Sequence, residues 1–135
     1  MALARYSKFI FTFAAVANIF AALLALGAMD LHLQMFYGRL QVQDILLRFY
    51  HYNFWFVVLM MGFGYAVIAR NPQHNRALIL IGAVGKLTVA VSWMLLYTMN
   101  EATVMVLGGV VYDGLFGILF LLLYRQIPPP QEITP

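Results

Sequence analysis

Long runs of apolar residues, separated by short polar segments, dominate this chain. Four of these runs cover residues 9–29, 53–69, 77–97 and 103–124. Each is close to the roughly 20 apolar residues that an α-helix needs to cross the hydrocarbon core of a bilayer. The connections after the second and third runs are short, and short connections place consecutive helices side by side and antiparallel. The pattern therefore predicts four transmembrane helices in one bundle.

The segment 30–52, between the first and second runs, has a different pattern. Its apolar side chains recur at helical spacing on one face, and these are Val42, Ile45, Leu46 and Phe49. Asp44 and Arg48 are four residues apart on another face, where they can interact. This alternation predicts a short amphipathic helix at the membrane interface. Three consecutive prolines cannot continue a helix, so we assign residues 1–127 to the bundle and 128–135 to a Pro-rich polar tail.

The composition agrees with a membrane protein of the all-α class. Hydrophobic residues make up 64% of the chain and charged residues only 10%, whereas soluble domains carry roughly 25% charged residues. The chain has no cysteine, which excludes disulfides and thiolate metal sites. Its net charge of +3 is small and scattered, so we predict no nucleic-acid partner.

The basic residues predict an orientation. The predicted topology places five of them on one side of the membrane, namely Arg5, Lys8, Arg70, Arg76 and Arg125. The other side receives Arg39 and Arg48. By the positive-inside rule, both termini then face the cytoplasm. A cleaved signal peptide ending near Ala28 is the alternative, but the first run is long for one and contains Asn18.

Three polar residues interrupt the apolar runs at a common depth. Counted at about 1.5 Å per residue from the cytoplasmic helix ends, Lys86, Asp113 and Asn18 all lie roughly 14–17 Å deep. Each has small residues one turn away in both directions, which are Gly82, Ala90, Gly109, Gly117, Ala14 and Ala22. Small residues mark the faces on which membrane helices approach each other. We therefore predict that these polar side chains point toward other helices.

The free energy of insertion favours a pairing of the two charged residues. A single Lys or Asp at a helix centre costs about 2.5–3.5 kcal/mol, so two unpaired groups would cost roughly 5–7 kcal/mol. We predict that Lys86 and Asp113 form a buried pair, with Asn18 and Tyr112 or Tyr65 nearby. Three interpretations stay open at this point: the pair holds helices together, it belongs to a ligand site, or it belongs to a proton path.

Other groups of residues are weaker candidates for a metal, haem or catalytic site. Met29, Met35, His32 and His51 would suit copper, but methionine packs frequently in apolar chains, so we predict no metal site. No histidine falls at mid-membrane depth, which disfavours haem, and we expect no cofactor. Ser92 has no histidine at its depth to activate it, so the sequence leans against catalysis.

Two stretches, "MGFGYAVIARNPQHNRALILIGAVGKL" and "VYDGLFGILFLLLY", carry a family resemblance. They resemble a group of small four-helix bacterial inner-membrane proteins without an established activity. The matching positions are Gly64, Tyr65, Pro72, His74, Gly85, Lys86, Asp113 and, in the first helix, Asn18. The resemblance implies a four-helix membrane fold in a bacterial inner membrane and highlights the same polar residues. It implies no reaction.

These observations together predict a small multi-pass membrane protein. We expect it to act as an accessory subunit of another membrane protein, or to bind an apolar ligand whose polar end reaches Lys86 and Asp113. An anionic or carbonyl-bearing ligand head would suit the ammonium group. The alternatives are a small proton-coupled transporter working as a homo-oligomer, and a membrane enzyme acting on a lipid-like substrate.

Overall fold

The structure, a computed structural model, describes residues 3–38 and 44–130. A short 3-10 helix at Ala4–Tyr6 precedes five α-helices: α1 (Ser7–Gly27), α2 (Met29–Tyr37), α3 (Ile45–Arg70), α4 (Arg76–Thr98) and α5 (Val106–Gln126). Helices α1, α3, α4 and α5 are long and apolar enough to cross a membrane. The prediction of four helices of spanning length is therefore confirmed.

The second long helix begins earlier than the apolar pattern predicted. It starts at Ile45, where the pattern placed the start near residue 53. Asp44 caps it, since its carboxylate accepts a hydrogen bond of 2.8 Å from the backbone N–H of Leu46. No glycine or proline interrupts the helix before Gly62. Residues 45–52 thus belong to α3 and do not form a separate amphipathic helix.

The short helix between the first two spans is α2 instead. Ala28 separates α1 from α2 because its backbone is not helical, with φ −128° and ψ 51°. Gly38 ends α2 in the left-handed conformation at φ 67°. Arg39, on which the predicted orientation partly rests, and Val42, which belongs to the predicted amphipathic face, lie outside the described residues. At the other terminus α5 ends at Gln126, just before the prolines, and residues 131–135 of the predicted tail also lie outside the described part.

The four long helices associate as two antiparallel pairs. Helix α1 packs along α3, and α4 packs along α5, while α3 and α4 make the most extensive contact between the two pairs. Glycine permits the contact within each pair. A Cβ atom on Gly62 would lie 3.3 Å from the carbonyl oxygen of Ala15, and one on Gly117 would lie 2.7 Å from Cγ of Leu87. The predicted small-residue faces therefore lie at helix contacts.

A dense core fills the space between the pairs at the end where α1 and α4 begin. Its largest members are at most 2% exposed, and we call this set the packed half: Phe11, Tyr65, Ile68, Ile79, Phe120 and Leu123. The rings of Phe11 and Phe120 have centroids 4.7 Å apart, and that of Tyr65 lies 5.1 Å from Phe120. These rings join α1, α3 and α5 into one apolar layer.

A second cluster lies at the opposite end of the long helices. It includes Trp55 and Trp93, whose ring centroids are 6.4 Å apart. Helix α2 covers this end and is tied to the start of α5, because Thr103 donates from its N–H to the Phe36 carbonyl at 2.8 Å. Between this cluster and the packed half lie the polar residues that the sequence singled out.

Candidate functional site

The structure brings Lys86, Asp113 and Asn18 together from three different helices. The ammonium Nζ of Lys86 on α4 lies 2.6 Å from Asp113 Oδ1 on α5. The same Nζ lies 3.1 Å from Asn18 Oδ1 on α1. Asn18 in turn donates from Nδ2 to the carbonyl of Val58 on α3 at 3.4 Å. These contacts link all four long helices through one polar layer, which we define as Lys86, Asp113 and Asn18.

The two predicted tyrosines flank this layer. Nζ of Lys86 lies 4.4 Å from the ring centroid of Tyr112 and 5.5 Å from that of Tyr65, both within the distance at which an aromatic face attracts a cation. Tyr65 also packs against α4, where a Cβ on Gly82 would lie 2.7 Å from its Cε1. The hydroxyl of Tyr112 is buried and finds no hydrogen-bond partner among the described residues.

The two charged side chains differ in exposure. Lys86 is 4% exposed and Asp113 is 13% exposed. Lys86 donates to both oxygen acceptors and faces the Tyr112 ring, so its ammonium group is enclosed. Asp113 receives Lys86 at Oδ1 alone. The carboxylate is therefore the more open member of the pair.

A cavity of about 480 Å³ adjoins the polar layer and extends from it mainly toward the cluster that contains Trp55 and Trp93. Residues of all four long helices line it, and Asn18, Tyr65, Lys86, Tyr112 and Asp113 contribute its polar end. Its other walls are apolar, with Val58 and Val89 on facing helices. A cavity with mostly apolar walls and a few convergent polar groups is typical of a small-molecule site.

Both tryptophans of the chain stand at the far end of this cavity. Trp55 and Trp93 line it and are 5% and 8% exposed, and Phe36 of α2 packs near Trp93 with ring centroids 5.7 Å apart. Gly109 makes room for the indole of Trp93, since a Cβ there would lie 1.6 Å from Cζ3. We define the hollow half as the region between these indoles and the polar layer.

Sequence reasoning missed these aromatic residues and some of the small ones. Trp55 and Trp93 stood in apolar runs, where an indole is unremarkable in a membrane protein, and Phe36 stood in the segment between the first two runs. Gly109 was expected to serve a helix–helix contact, and it serves a ring instead. Gly64, a position of the family resemblance, makes no close approach, because a Cβ there would meet nothing within 4 Å. The scarcity of tryptophan, with two in 135 residues, is the signal that could have drawn attention.

The weak metal candidates are only partly brought together. His32 and His51 are both buried, with ring centroids 5.3 Å apart, and Met29 is buried at the start of α2, while Met35 is 41% exposed. His51 Nε2 lies 2.9 Å from the carbonyl oxygen of Ala25. Within residues 3–38 and 44–130, no three His, Cys, Asp or Glu side chains group in a way that could hold a metal ion.

His32 is enclosed by rings and has lost its hydration. It stacks on Phe36 at 4.3 Å and meets Trp55 edge-on at 4.9 Å. Neither ring nitrogen finds a partner among the described residues. Burial, followed by the nearby His51, lowers the pKa of His32 to about 4. The imidazole is thus neutral at physiological pH and packs as an aromatic ring.

Comparison with protein-family models, curated proteins and solved structures finds no match to this chain. The chemistry of the site therefore follows from its geometry. A charge pair closes one end of an apolar cavity, and two indoles stand at the other. Such an arrangement can hold an elongated apolar molecule by shape and orient its polar end by hydrogen bonding.

Proposed function

We propose that this protein is a membrane-embedded binder of an apolar small molecule, held between its two helix pairs. The ligand's polar end meets the polar layer and its apolar body fills the hollow half. The observation that carries the proposal is the cavity of about 480 Å³ that ends at Lys86 and Asp113. A pair that served only to hold helices together would need no such space beside it.

The packed half favours binding over transport. A proton or solute path through the molecule would need water or polar groups beyond Lys86 on both sides. Beyond the polar layer, toward the start of α1 and α4, the side chains of Phe11, Ile68, Ile79 and Phe120 are fully buried and apolar. Such a layer blocks water, so the cavity has one closed end, as a binding site requires and a pathway does not.

We further propose a membrane topology and location for this binder. The four long helices form a transmembrane bundle with both termini in the cytoplasm, because α1 and α4 begin, and α3 and α5 end, on the side that carries Arg5, Arg70, Arg76 and Arg125. Arg76 supports this end by donating a hydrogen bond to the Ile127 carbonyl. The resemblance to small bacterial four-helix proteins favours a bacterial inner membrane.

Native mass spectrometry of the full chain, released from mild detergent, tests the proposal. Gly85 and Gly108 line the cavity, and a Cβ on either would meet nothing within 4 Å. The double variant Gly85→Leu/Gly108→Leu should therefore fill the cavity without displacing a helix. Gly64 is equally open but does not line the cavity, so Gly64→Leu is the matched control.

The wild-type protein and Gly64→Leu should retain a defined apolar molecule that the double variant loses. Retention of the same molecule by the filled variant, or no defined molecule on any of the three, would contradict binding in this cavity. Because partner proteins appear in the same spectra, the experiment also detects the role of an accessory subunit.

A further inference from the structure

At the polar end of the cavity, the carboxylate of Asp113 keeps one oxygen without a hydrogen-bond donor. Lys86 donates to Asp113 Oδ1, and no donor among the described residues reaches Oδ2. The buried polar atoms without a partner in that part of the chain belong to His32, Tyr112 and Gln126. Oδ2 is therefore accessible, and Asp113, which is 13% exposed, lines the cavity. A ligand head that approaches the layer meets a hydrogen-bond acceptor.

The ammonium group of Lys86 is not available to the ligand in the same way. It is covered by Asp113, Asn18 and the ring of Tyr112. An ammonium group has three N–H donors, and Asp113 and Asn18 take two of them. An acceptor on the ligand can therefore meet at most one N–H of the lysine, and an anionic or carbonyl-bearing head is the alternative that the experiment below tests.

The charge balance of the layer also selects the ligand. Lys86 and Asp113 carry opposite formal charges 2.6 Å apart, so the pair is electrically neutral as a unit. An anionic head would face the open carboxylate oxygen, and a cationic head would add an unbalanced charge inside a low-dielectric site. A neutral head avoids both penalties and can still donate a hydrogen bond.

We infer that the occupant of the cavity is an apolar alcohol, a long-chain, isoprenoid or polycyclic molecule whose hydroxyl donates to Asp113 Oδ2. This inference rests on the proposed function and adds the class of the ligand head. Lys86 then acts as a positioning residue that holds the carboxylate in place, and Asn18 orients the lysine. The indoles of Trp55 and Trp93 contact the far end of the molecule.

The tryptophans supply a direct readout of binding and of ligand direction. Both indoles of the chain line the cavity and are nearly buried, so bromine on a bound chain quenches their fluorescence while bromine in bulk lipid reaches them poorly. Lys86 and Trp93 are seven residues apart on α4, which is about 10 Å. A chain of that reach, brominated at its end, places the bromine beside the indoles.

The experiment compares three probes of equal chain length on the full protein in lipid nanodiscs. They are an ω-bromo alcohol, its methyl ether and the ω-bromo carboxylic acid, at a pH where the acid is ionised. The ether keeps the oxygen acceptor and loses the donor. We expect half-maximal quenching by the alcohol at a concentration about tenfold below that of the ether, because a hydrogen bond to a charged acceptor is lost. We expect the acid to bind more weakly than the alcohol.

The variant Asp113→Asn should reverse the order of the alcohol and the acid. It leaves the Lys86 charge unbalanced, so an ionised carboxylate head becomes the better partner. The comparison of head groups in the wild-type protein stands independently if this variant fails to fold. An acid that binds the wild type as well as the alcohol does, or an ether equal to the alcohol, would overturn the inference.

The filled variant Gly85→Leu/Gly108→Leu separates this inference from the proposed function. If all three probes quench the wild type equally and the filled variant is not quenched, the cavity binds apolar chains without selecting a hydroxyl. If no probe quenches the wild type more than the filled variant, the binding site itself is wrong, and the inference fails with it.

Discussion

The packed half and the hollow half lie on opposite sides of the same polar layer, yet they use their apolar residues differently. In the packed half, Phe11 and Phe120 bring large rings into contact between the two helix pairs. In the hollow half, the walls carry small residues such as Ala17, Ala21 and Gly108, and a cavity separates the pairs. Helix pairs of similar apolarity therefore close at one end and stay apart at the other because of side-chain volume.

This difference gives the polar layer two roles. Toward the packed half, Lys86, Asp113 and Asn18 join all four long helices through hydrogen bonds. Toward the hollow half, the same residues line the polar end of the cavity in which we propose that a ligand binds. A ligand site is therefore compatible with a role of the layer in holding the helices together.

The largest effect should come from breaking the layer that separates the two halves. Lys86→Leu leaves the Asp113 carboxylate buried without its ammonium partner, which should cost about 3–5 kcal/mol in the free energy of unfolding. Lys86→Leu/Asp113→Leu removes both charges and should recover most of that loss. Denaturation in mixed micelles measures both values, and a double variant no more stable than the single one would contradict direct pairing.

A smaller effect should distinguish two isoleucines of α4, one buried in the packed half and one that lines the cavity. Ile79 is fully buried in the packed half, whereas Ile81 lines the cavity and is 57% exposed. Ile79→Ala should cost about 2 kcal/mol, near the lower limit for such truncations, because lipid tails are as apolar as the core. Ile81→Ala should cost well under about 1 kcal/mol. Equal losses in the same micelle assay would mean that Ile81 is packed as tightly as Ile79 and does not line a cavity.

Two glycines of α4 sharpen the same comparison. A Cβ on Gly82 would lie 2.7 Å from the ring of Tyr65, whereas one on Gly85 would meet nothing within 4 Å. Gly82→Ala should therefore destabilise the protein by about 1 kcal/mol, because overpacking outweighs the better helix propensity of alanine. Gly85→Ala should be neutral or slightly stabilising. Thermal unfolding of the two variants side by side checks the sign of each change, and a loss at Gly85 would contradict an open wall.

The smallest effect concerns the pH dependence of stability that His32 causes. This residue lies beyond the indole end of the hollow half. Its pKa of about 4 in the folded protein lies below its ordinary value of 6.5. The unfolded chain therefore binds a proton that the folded chain does not, and stability falls as the pH drops from about 6.5 toward 4. Between pH 7 and pH 6 the loss should be about 0.7 kcal/mol. His32→Gln should flatten this slope in melts across the range, and an unchanged slope would show that His32 is not the group responsible.

Features that depend on hydropathy, or on the position of a residue along its helix, could be predicted from the sequence. The four spans follow from apolar runs, and Lys86, Asp113 and Asn18 were expected together because they share one depth. The start of α3 was not predictable from hydropathy, because Asp44 and Arg48 are polar but compatible with a helix. Asp44 proves to be the cap that begins that helix.

The cavity depends on features that a linear pattern does not contain. Its volume arises from the separation of two helix pairs and from the side-chain conformations of Trp55 and Trp93. The relative exposure of Lys86 and Asp113 likewise depends on which side chain the Tyr112 ring covers. Sequence reasoning could therefore identify the polar layer, but not that Asp113 is the more exposed member of its charged pair.

The most direct test of the contrast between the halves is a crystal structure determined under xenon pressure. Xenon enters apolar cavities and is excluded from close-packed cores. The account predicts xenon, or an ordered apolar molecule in its place, between Val58 and Val89, and no xenon among Ile68, Ile79 and Phe120. Helix pairs in contact throughout their length, or xenon in the packed half, would contradict it.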